Sequence, residues 1–281
     1  MIQDIQKIEY KGRVVFEKIT MSPFKRIPKL FQENEACFMF IKQGEFSVRT
    51  PDEVIEFDQG KGLLSKCFNY FFELSPVQRD HLDQIEVMGI LLYPEMLEDI
   101  FQFELASSSF SLGSPVKGIN IDPLLVNYRE SISILLDHPE LADEALIRAK
   151  VKEFVLLVSK SEQAPSELDF LSALFQPISY EFRTTIEQNV YASLSINELA
   201  KLCNMSLSTF KRKFASIYSE SPKTYLLRRK MEKAVNMLSI PENRIIDIAY
   251  SCGFESLSSF NRNFKQQYGQ SPSSYRLAQN A

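Results

Sequence analysis

Residues 210–225 read FKRKFASIYSESPKTY and residues 260–275 read FNRNFKQQYGQSPSSY. At an offset of 50 the pairs Phe210/Phe260, Arg212/Arg262, Phe214/Phe264, Tyr218/Tyr268, Ser221/Ser271, Pro222/Pro272 and Tyr225/Tyr275 are identical, seven positions of sixteen. Upstream the offset becomes 49 and pairs Ile196/Ile245, Leu199/Ile248, Ala200/Ala249 and Cys203/Cys252. A segment that recurs with every aromatic in place is one supersecondary unit used twice.

The unit reads as helix, tight turn, helix. Ser195 with Glu198 three residues on forms a capping-box start, and Leu199, Ala200, Leu202 and Cys203 supply an apolar face. Asn204-Met205-Ser206 make the turn, and a second helix runs from Leu207 to about Tyr218. In the repeat the turn residue is Gly253, which takes positive φ freely; Asn204 is the next most tolerant choice. The spacing therefore predicts helix-turn-helix units at 195–218 and 245–268. Ser221 caps and Pro222 starts a joining helix over 222–238, which carries the basic run Arg228, Arg229, Lys230 and Lys233.

On the second helix of the first unit Phe210, Phe214 and Ile217 form one stripe and must face inward, leaving Ser208, Thr209, Lys211 and Arg212 outward. In the repeat Phe260, Phe264 and Tyr268 turn inward, leaving Ser258, Ser259, Asn261 and Arg262 outward. Such a helix fits the DNA major groove, where Arg forks to guanine and Asn to adenine. These eight residues are the candidate DNA contacts, and a stiff joining helix sets the two readers roughly 34 Å apart, one DNA turn.

Charge divides in the same place. Residues 1–172 carry 18 Lys+Arg against 28 Asp+Glu, and residues 173–281 carry 14 against 8, so an acidic part precedes a basic one. Positive charge is needed only where a phosphate backbone lies. The 44% hydrophobic and 24% charged composition excludes a disordered chain, the apolar runs are far too short to span a bilayer, and MIQDIQKIEY shows no leader pattern; a cytoplasmic protein is expected. The four cysteines lack paired spacing, and the two histidines, His81 and His138, give no metal cluster, so no cofactor or metal and no catalytic residue is expected.

Before residue 172 the chain reads as strands over about 10–93: Arg13–Thr20, Cys37–Lys42, Glu45–Arg49, Val54–Asp58, Gly62–Lys66 and Gln84–Leu92, a small antiparallel barrel or sandwich. Lys42, Arg49, Tyr70 and Glu73 are polar candidates for its interior, but strand pattern alone assigns no ligand site. Helices follow over about 94–158. Met96-Leu97, Ile100-Phe101 and Leu105 mark the first, Ser107–Gly118 reads as a loop, and Asp122-Pro123 starts a helix striped by Leu124, Tyr128, Ile132 and Leu135. A last helix, about Pro139–Val158, has a seam of Ile147, Val151, Phe154 and Val158, suited either to a homodimer interface or to covering the sheet within the chain. The polar stretch 159–172 reads as a linker between domains 1–172 and 173–281.

Residues 183–281 resemble the DNA-binding domain of the AraC/XylS family. The match is carried by Ala200-x-x-Cys203, Phe210-x-Arg212-x-Phe214, Ser221-Pro222-x-x-Tyr225, Arg229 and Ala234, and then by Ile248-Ala249, Cys252-Gly253-Phe254, Phe260-x-Arg262-x-Phe264-Lys265, Gly269, Ser271-Pro272 and Tyr275-Arg276. Ser219 departs from the pattern, standing where Gly269 stands in the second unit. The resemblance implies an α+β chain, with an N-terminal cupin-like β-barrel and helical dimerisation region before an all-α double helix-turn-helix domain. It further implies a regulator, usually an activator, that binds double-stranded promoter DNA and contacts RNA polymerase, controlled by a small-molecule effector or a regulatory protein and acting as a homodimer. ELADEALIRAKVKEFVLLV is closer to members governed by a partner protein, such as regulators of type III secretion, than to sugar sensors. The alternative is a barrel enzyme with an accessory DNA-binding module, which would need a reactive cysteine.

Overall fold

The computed structural model describes residues 2–29, 35–66, 69–102, 110–112, 114, 116–175 and 181–279. The chain forms two compact units, Met1–Ser179 and Tyr180–Ala281.

Among the described residues unit 1 has ten strands: β1 (Ile2–Tyr10), β2 (Arg13–Met21), β3 (Arg26–Lys29), β4 (Ala36–Gln43), β5 (Phe46–Arg49), β6 (Val54–Phe57), β7 (Lys61–Ser65), β8 (Tyr70–Glu73), β9 (Ile85–Leu92) and β10 (Val116–Asn120). They pair antiparallel in a six-stranded sheet, β1-β2-β9-β4-β7-β10, and a four-stranded sheet, β3-β8-β5-β6. Its helices are α1 (Pro76–His81), α2 (Pro94–Phe101), α3 (Pro123–Asp137), α4 (Glu144–Ser161) and α5 (Glu167–Leu174).

The run ACFMFI on β4 is apolar at every position because the large sheet is covered on both faces. Ala36, Phe38 and Phe40 join the core under the helices, while Met39 and Ile41 join a second core with Phe46, Val48, Phe57 and Phe72 of the small sheet. Asp122 caps α3 through the Leu125 amide and Asp143 caps α4 through the Leu146 amide.

Four sequence expectations are corrected here. The seam Ile147, Val151, Phe154 and Val158 is 0–3% exposed, buried within unit 1, and Phe154 stacks edge-on to Phe38 with ring centroids 5.1 Å apart. Those side chains cover the sheet and are not offered to a second chain, so the dimerisation assignment does not hold for them. Leu124 points outward, 60% exposed, and Leu125 takes its place inside. Val116–Asn120, which begins inside the expected loop and runs two residues past it, pairs with β7. Val116 and Ile119, three residues apart, face opposite sides of the sheet, one in the core against the small sheet and the other in the core under the helices; Leu105 and much of that loop lie outside the described residues. The expected linker 159–172 contains the end of α4 and most of α5, whose Phe170 and Leu171 are fully buried, and the division falls after Ser179.

Unit 2 is all helical: α6 (Phe182–Asn189), α7 (Ile196–Leu202), α8 (Leu207–Tyr218), α9 (Pro222–Leu238), α10 (Ile245–Ser251), α11 (Leu257–Tyr268) and α12 (Pro272–Gln279). Serine hydroxyls cap five of these starts: Ser195, Ser206, Ser221, Ser256 and Ser271 each accept an amide three residues on.

Burial of the α4 seam predicts its own test. Phe154→Ala should lower unfolding stability in urea by about 3–5 kcal/mol and leave the sedimentation coefficient of the folded protein unchanged; dissociation of an oligomer without loss of stability would return the seam to an interface.

Candidate nucleic-acid interface

The repeat in sequence is a repeat in packing. Ring centroids of Phe210 and Phe214 lie 5.7 Å apart, as do those of Phe260 and Phe264; Phe214 to Tyr218 is 4.5 Å and Phe264 to Tyr268 is 4.6 Å; Phe214 to Tyr225 is 5.5 Å and Phe264 to Tyr275 is 5.4 Å. Each second helix is thus held by rings at i, i+4 and i+8 together with one tyrosine from the helix that follows. All four phenylalanines are fully buried.

A helix pinned along one stripe presents the opposite stripe to solvent. Ser208, Lys211 and Arg212 on α8 are exposed and Thr209 is half-buried; on α11 Ser258, Asn261 and Arg262 are exposed and Ser259 is half-buried. Ile217, placed inward by its spacing, is half-buried. Among the described residues Arg212 and Arg262 make no ion pair or side-chain hydrogen bond, so both guanidiniums keep all their donors. The hydroxyls of Ser208 and Thr209 lie 3.1 and 3.0 Å from Ser206 Oγ, clustered at the N-terminus of α8.

The basic run of α9 behaves otherwise. Arg228 pairs with Glu220 at 2.7 Å and Glu232 at 2.8 Å. Arg229 pairs with Glu187 at 2.7 Å. Lys230 Nζ donates to the Gly253 carbonyl at 2.8 Å and Lys233 Nζ to the Ser251 carbonyl at 2.7 Å. These cations build the unit.

The turn of the second helix-turn-helix is the meeting point. Gly253 has φ +75°, and a Cβ there would stand 2.1 Å from the Tyr191 carbonyl oxygen, so the loop before α7 lies directly against this turn. Ser193 Oγ donates to the same Gly253 carbonyl at 3.2 Å. One carbonyl therefore ties α9 and the approach to the first helix-turn-helix to the second. Asn204, its counterpart, takes φ +53°.

Glu187 on α6 is a site residue that the sequence reading passed over. It accepts from Tyr225 Oη at 2.5 Å, Arg229 Nη1 at 2.7 Å and Tyr218 Oη at 3.4 Å. Desolvation raises its carboxyl, but the bonds from Tyr225 and Arg229 outweigh it and the pKa falls below the usual value. The only hint in the sequence is an acid in a basic unit, one of eight.

The cysteines of unit 2 are poor nucleophiles. Burial pushes the Cys203 thiol up to about 12 and the Cys252 thiol to about 11, with Lys213 opposing the first and Lys233 and Lys230 the second. Cys37 is buried in unit 1 and raised by desolvation; Cys67 lies outside the described residues. Among the described residues no cluster of three or more His, Cys, Asp or Glu could hold a metal ion, and no helix is long and apolar enough to cross a membrane.

Two short helix pairs, each with an exposed polar reading helix and fixed by one scaffold, define a double helix-turn-helix DNA-binding transcriptional regulator. Residues 199–278 match a family model described as a helix-turn-helix domain, and residues 36–170 match one described as the ExsA N-terminal regulatory domain. The chain is 23% identical over 234 residues to the thermoregulatory protein LcrF of Yersinia pestis, covering 81% of this chain and 84% of that one. It is 28% identical over 147 residues to the HTH-type transcriptional regulator ExsA of Pseudomonas aeruginosa, covering 50% and 51%. Among solved structures, ToxT of Vibrio cholerae aligns over 94% of this chain and 98% of its own at 14% identity, with a TM-score of 0.37. The two domain matches and these relatives support a transcriptional regulator of the AraC family.

Two substitutions test the scaffold. Ser219 closes α8 at φ +58°, where α11 ends in Gly269 at φ +74°; Ser219→Gly should raise stability by about 1 kcal/mol in chemical denaturation, and no gain would show that the left-handed serine is unstrained. Because the Glu187 pKa is lowered on folding, its contribution is present above the ordinary carboxylate range and is lost as pH falls through the depressed value. Glu187→Gln should therefore lower the melting temperature at pH 7, with the gap to wild type closing as pH drops below 4.5; a gap constant in pH would rule the charge out.

Proposed function

We propose that this regulator is a cytoplasmic activator that binds double-stranded promoter DNA as a homodimer, contacts RNA polymerase, and is controlled through unit 1 by a small-molecule effector or a regulatory protein. The observation that carries the DNA reading is the pair of unpartnered arginines, Arg212 and Arg262, at equivalent places on two equivalently packed helices. Ser208, Thr209, Lys211 and Arg212 then read one major-groove segment, and Ser258, Ser259, Asn261 and Arg262 the next, with Arg212 and Arg262 suited to guanine and Asn261 to adenine. Unit 1, residues 1–179, is the sensory and assembly part in this reading and unit 2, residues 180–281, the DNA-binding part, the boundary lying seven residues beyond the one expected from the sequence.

Activation is supported by the relatives, among them the virulence regulon transcriptional activator VirF of Yersinia enterocolitica, 23% identical over 234 residues. Control through unit 1 is supported by its match to a regulatory domain. The barrel-enzyme alternative finds no support, since the relatives are transcription regulators and the thiols of Cys37, Cys203 and Cys252 are all raised.

Arg212→Ala and Arg262→Ala should each weaken binding to the specific promoter by about 1–3 kcal/mol in a mobility-shift titration and affect random DNA less. Footprinting should show two adjacent protected major-groove segments per protomer. Equal losses on both DNAs would reduce these arginines to phosphate contacts.

A further inference from the structure

A cavity of about 420 Å³ lies between the two sheets of unit 1, inside the ~300–1,000 Å³ range of small-molecule sites. Ile19, Met21, Met39, Phe46, Phe72 and Val87 give it apolar walls. Lys42, Arg49, Tyr70 and Glu73 do not line it: Lys42 bonds Ser133, Arg49 pairs with Glu73, and Tyr70 contacts Ser65 and Cys37.

Among the described residues two ionisable side chains reach the cavity, Lys29 and Glu17. Lys29 Nζ is 2.9 Å from Glu35 Oε1, and Glu35 is 3% exposed, so this cation is engaged with a buried carboxylate. Glu17 has no hydrogen bond or ion pair among the described residues. Its cross-strand neighbour on β1 is Lys7, which is exposed and beyond ion-pair distance. Its neighbour on β9 is Gly89, and a Cβ at Gly89 would meet Glu17 Cγ at 3.1 Å and Oε1 at 3.2 Å. The carboxylate therefore lies over a glycine in mid-strand, where any side chain would crowd it. Glycine inside a strand costs stability and marks a place where something must approach closely. Burial raises the Glu17 carboxyl, with Lys29 and Lys7 opposing and Glu35 adding to the rise.

The charges choose the guest. An anion would face Glu17 and compete with Glu35 for Lys29, and a neutral donor would leave a half-buried carboxylate uncompensated. An ammonium satisfies it with a charge-assisted hydrogen bond. We propose that unit 1 binds, between its sheets, an apolar molecule bearing a single primary amine that pairs with Glu17. This deepens the reading of unit 1 as the controlling part and rests on it only for the consequence at DNA.

The test is calorimetric titration of the full chain with decylamine, decanoate and 1-decanol, all below micelle formation. Decylamine should bind saturably, one per chain, and about tenfold or more tighter than either of the others. Glu17→Gln, which keeps the shape, should abolish that preference while still binding decanol. Decanoate binding as tightly as decylamine, an amine preference that survives Glu17→Gln, or no saturable binding of any probe would each overturn the site. Promoter affinity measured with and without decylamine separates the two readings: binding without an effect on DNA keeps the site and removes its regulatory role.

Discussion

Everything in unit 2 follows from a row of rings that cannot be exposed. Phe210, Phe214 and Tyr218 stand four residues apart and therefore drift only slightly around α8; Phe260, Phe264 and Tyr268 do the same on α11. Burying them fixes each helix in rotation as well as in position, because a turn about its axis would bring a fully buried phenylalanine to the surface. The rotation decides which side chains each helix presents to solvent. Tyr225 and Tyr275, arriving from the next helix to pack on Phe214 and Phe264, extend the same constraint to α9 and α12.

Orientation of one reader against the other depends on a smaller device. Gly253 lies so close to the Tyr191 carbonyl that no other residue fits without a shift of backbone, and its own carbonyl takes hydrogen bonds from Ser193 and Lys230. Desolvation at this position lowers the Lys230 pKa, with Cys252 and Glu255 opposing. The two helix pairs are thereby held to one another through α9 and through the loop before α7, by contacts within the unit itself.

The sequence shows unit 2 with nearly its observed boundaries because each structural role there is filled by a distinctive residue, and filled twice. Unit 1 is legible only in its apolar parts. β4 and β9 stand out as continuous apolar runs, whereas β1, IQDIQKIEY, is mostly exposed and looks polar, and β10 is hidden in a Ser- and Gly-rich stretch. The seam on α4 teaches the limit most plainly. Periodicity locates an apolar face but is silent on what covers it, and here Phe38 and Tyr128 of the same chain do. Contacts such as Ser193 to Gly253, sixty residues apart, leave no local trace at all.

Net charge pointed toward DNA, yet counting cations does not say which of them meet it. Arg228, Arg229, Lys230 and Lys233 are the densest basic run in the chain, and each is bound to a carboxylate or a carbonyl of the protein itself. Arg276 likewise serves the fold, donating to the carbonyls of Leu238, Pro241 and Asn243 and so closing the loop between α9 and α10. Arg212, flanked by Lys211 and Lys213, and Arg262, between two asparagines, make no ion pair or side-chain hydrogen bond among the described residues. A guanidinium held by its own protein would have to break that bond before reaching a base, whereas an exposed, unpartnered one on a rotationally fixed helix exchanges only water for guanine. For the proposed interface the electrostatic feature that counts is therefore the absence, among the described residues, of internal partners at two matched positions, and the positive balance of the unit as a whole supplies a field that favours an approaching polyanion.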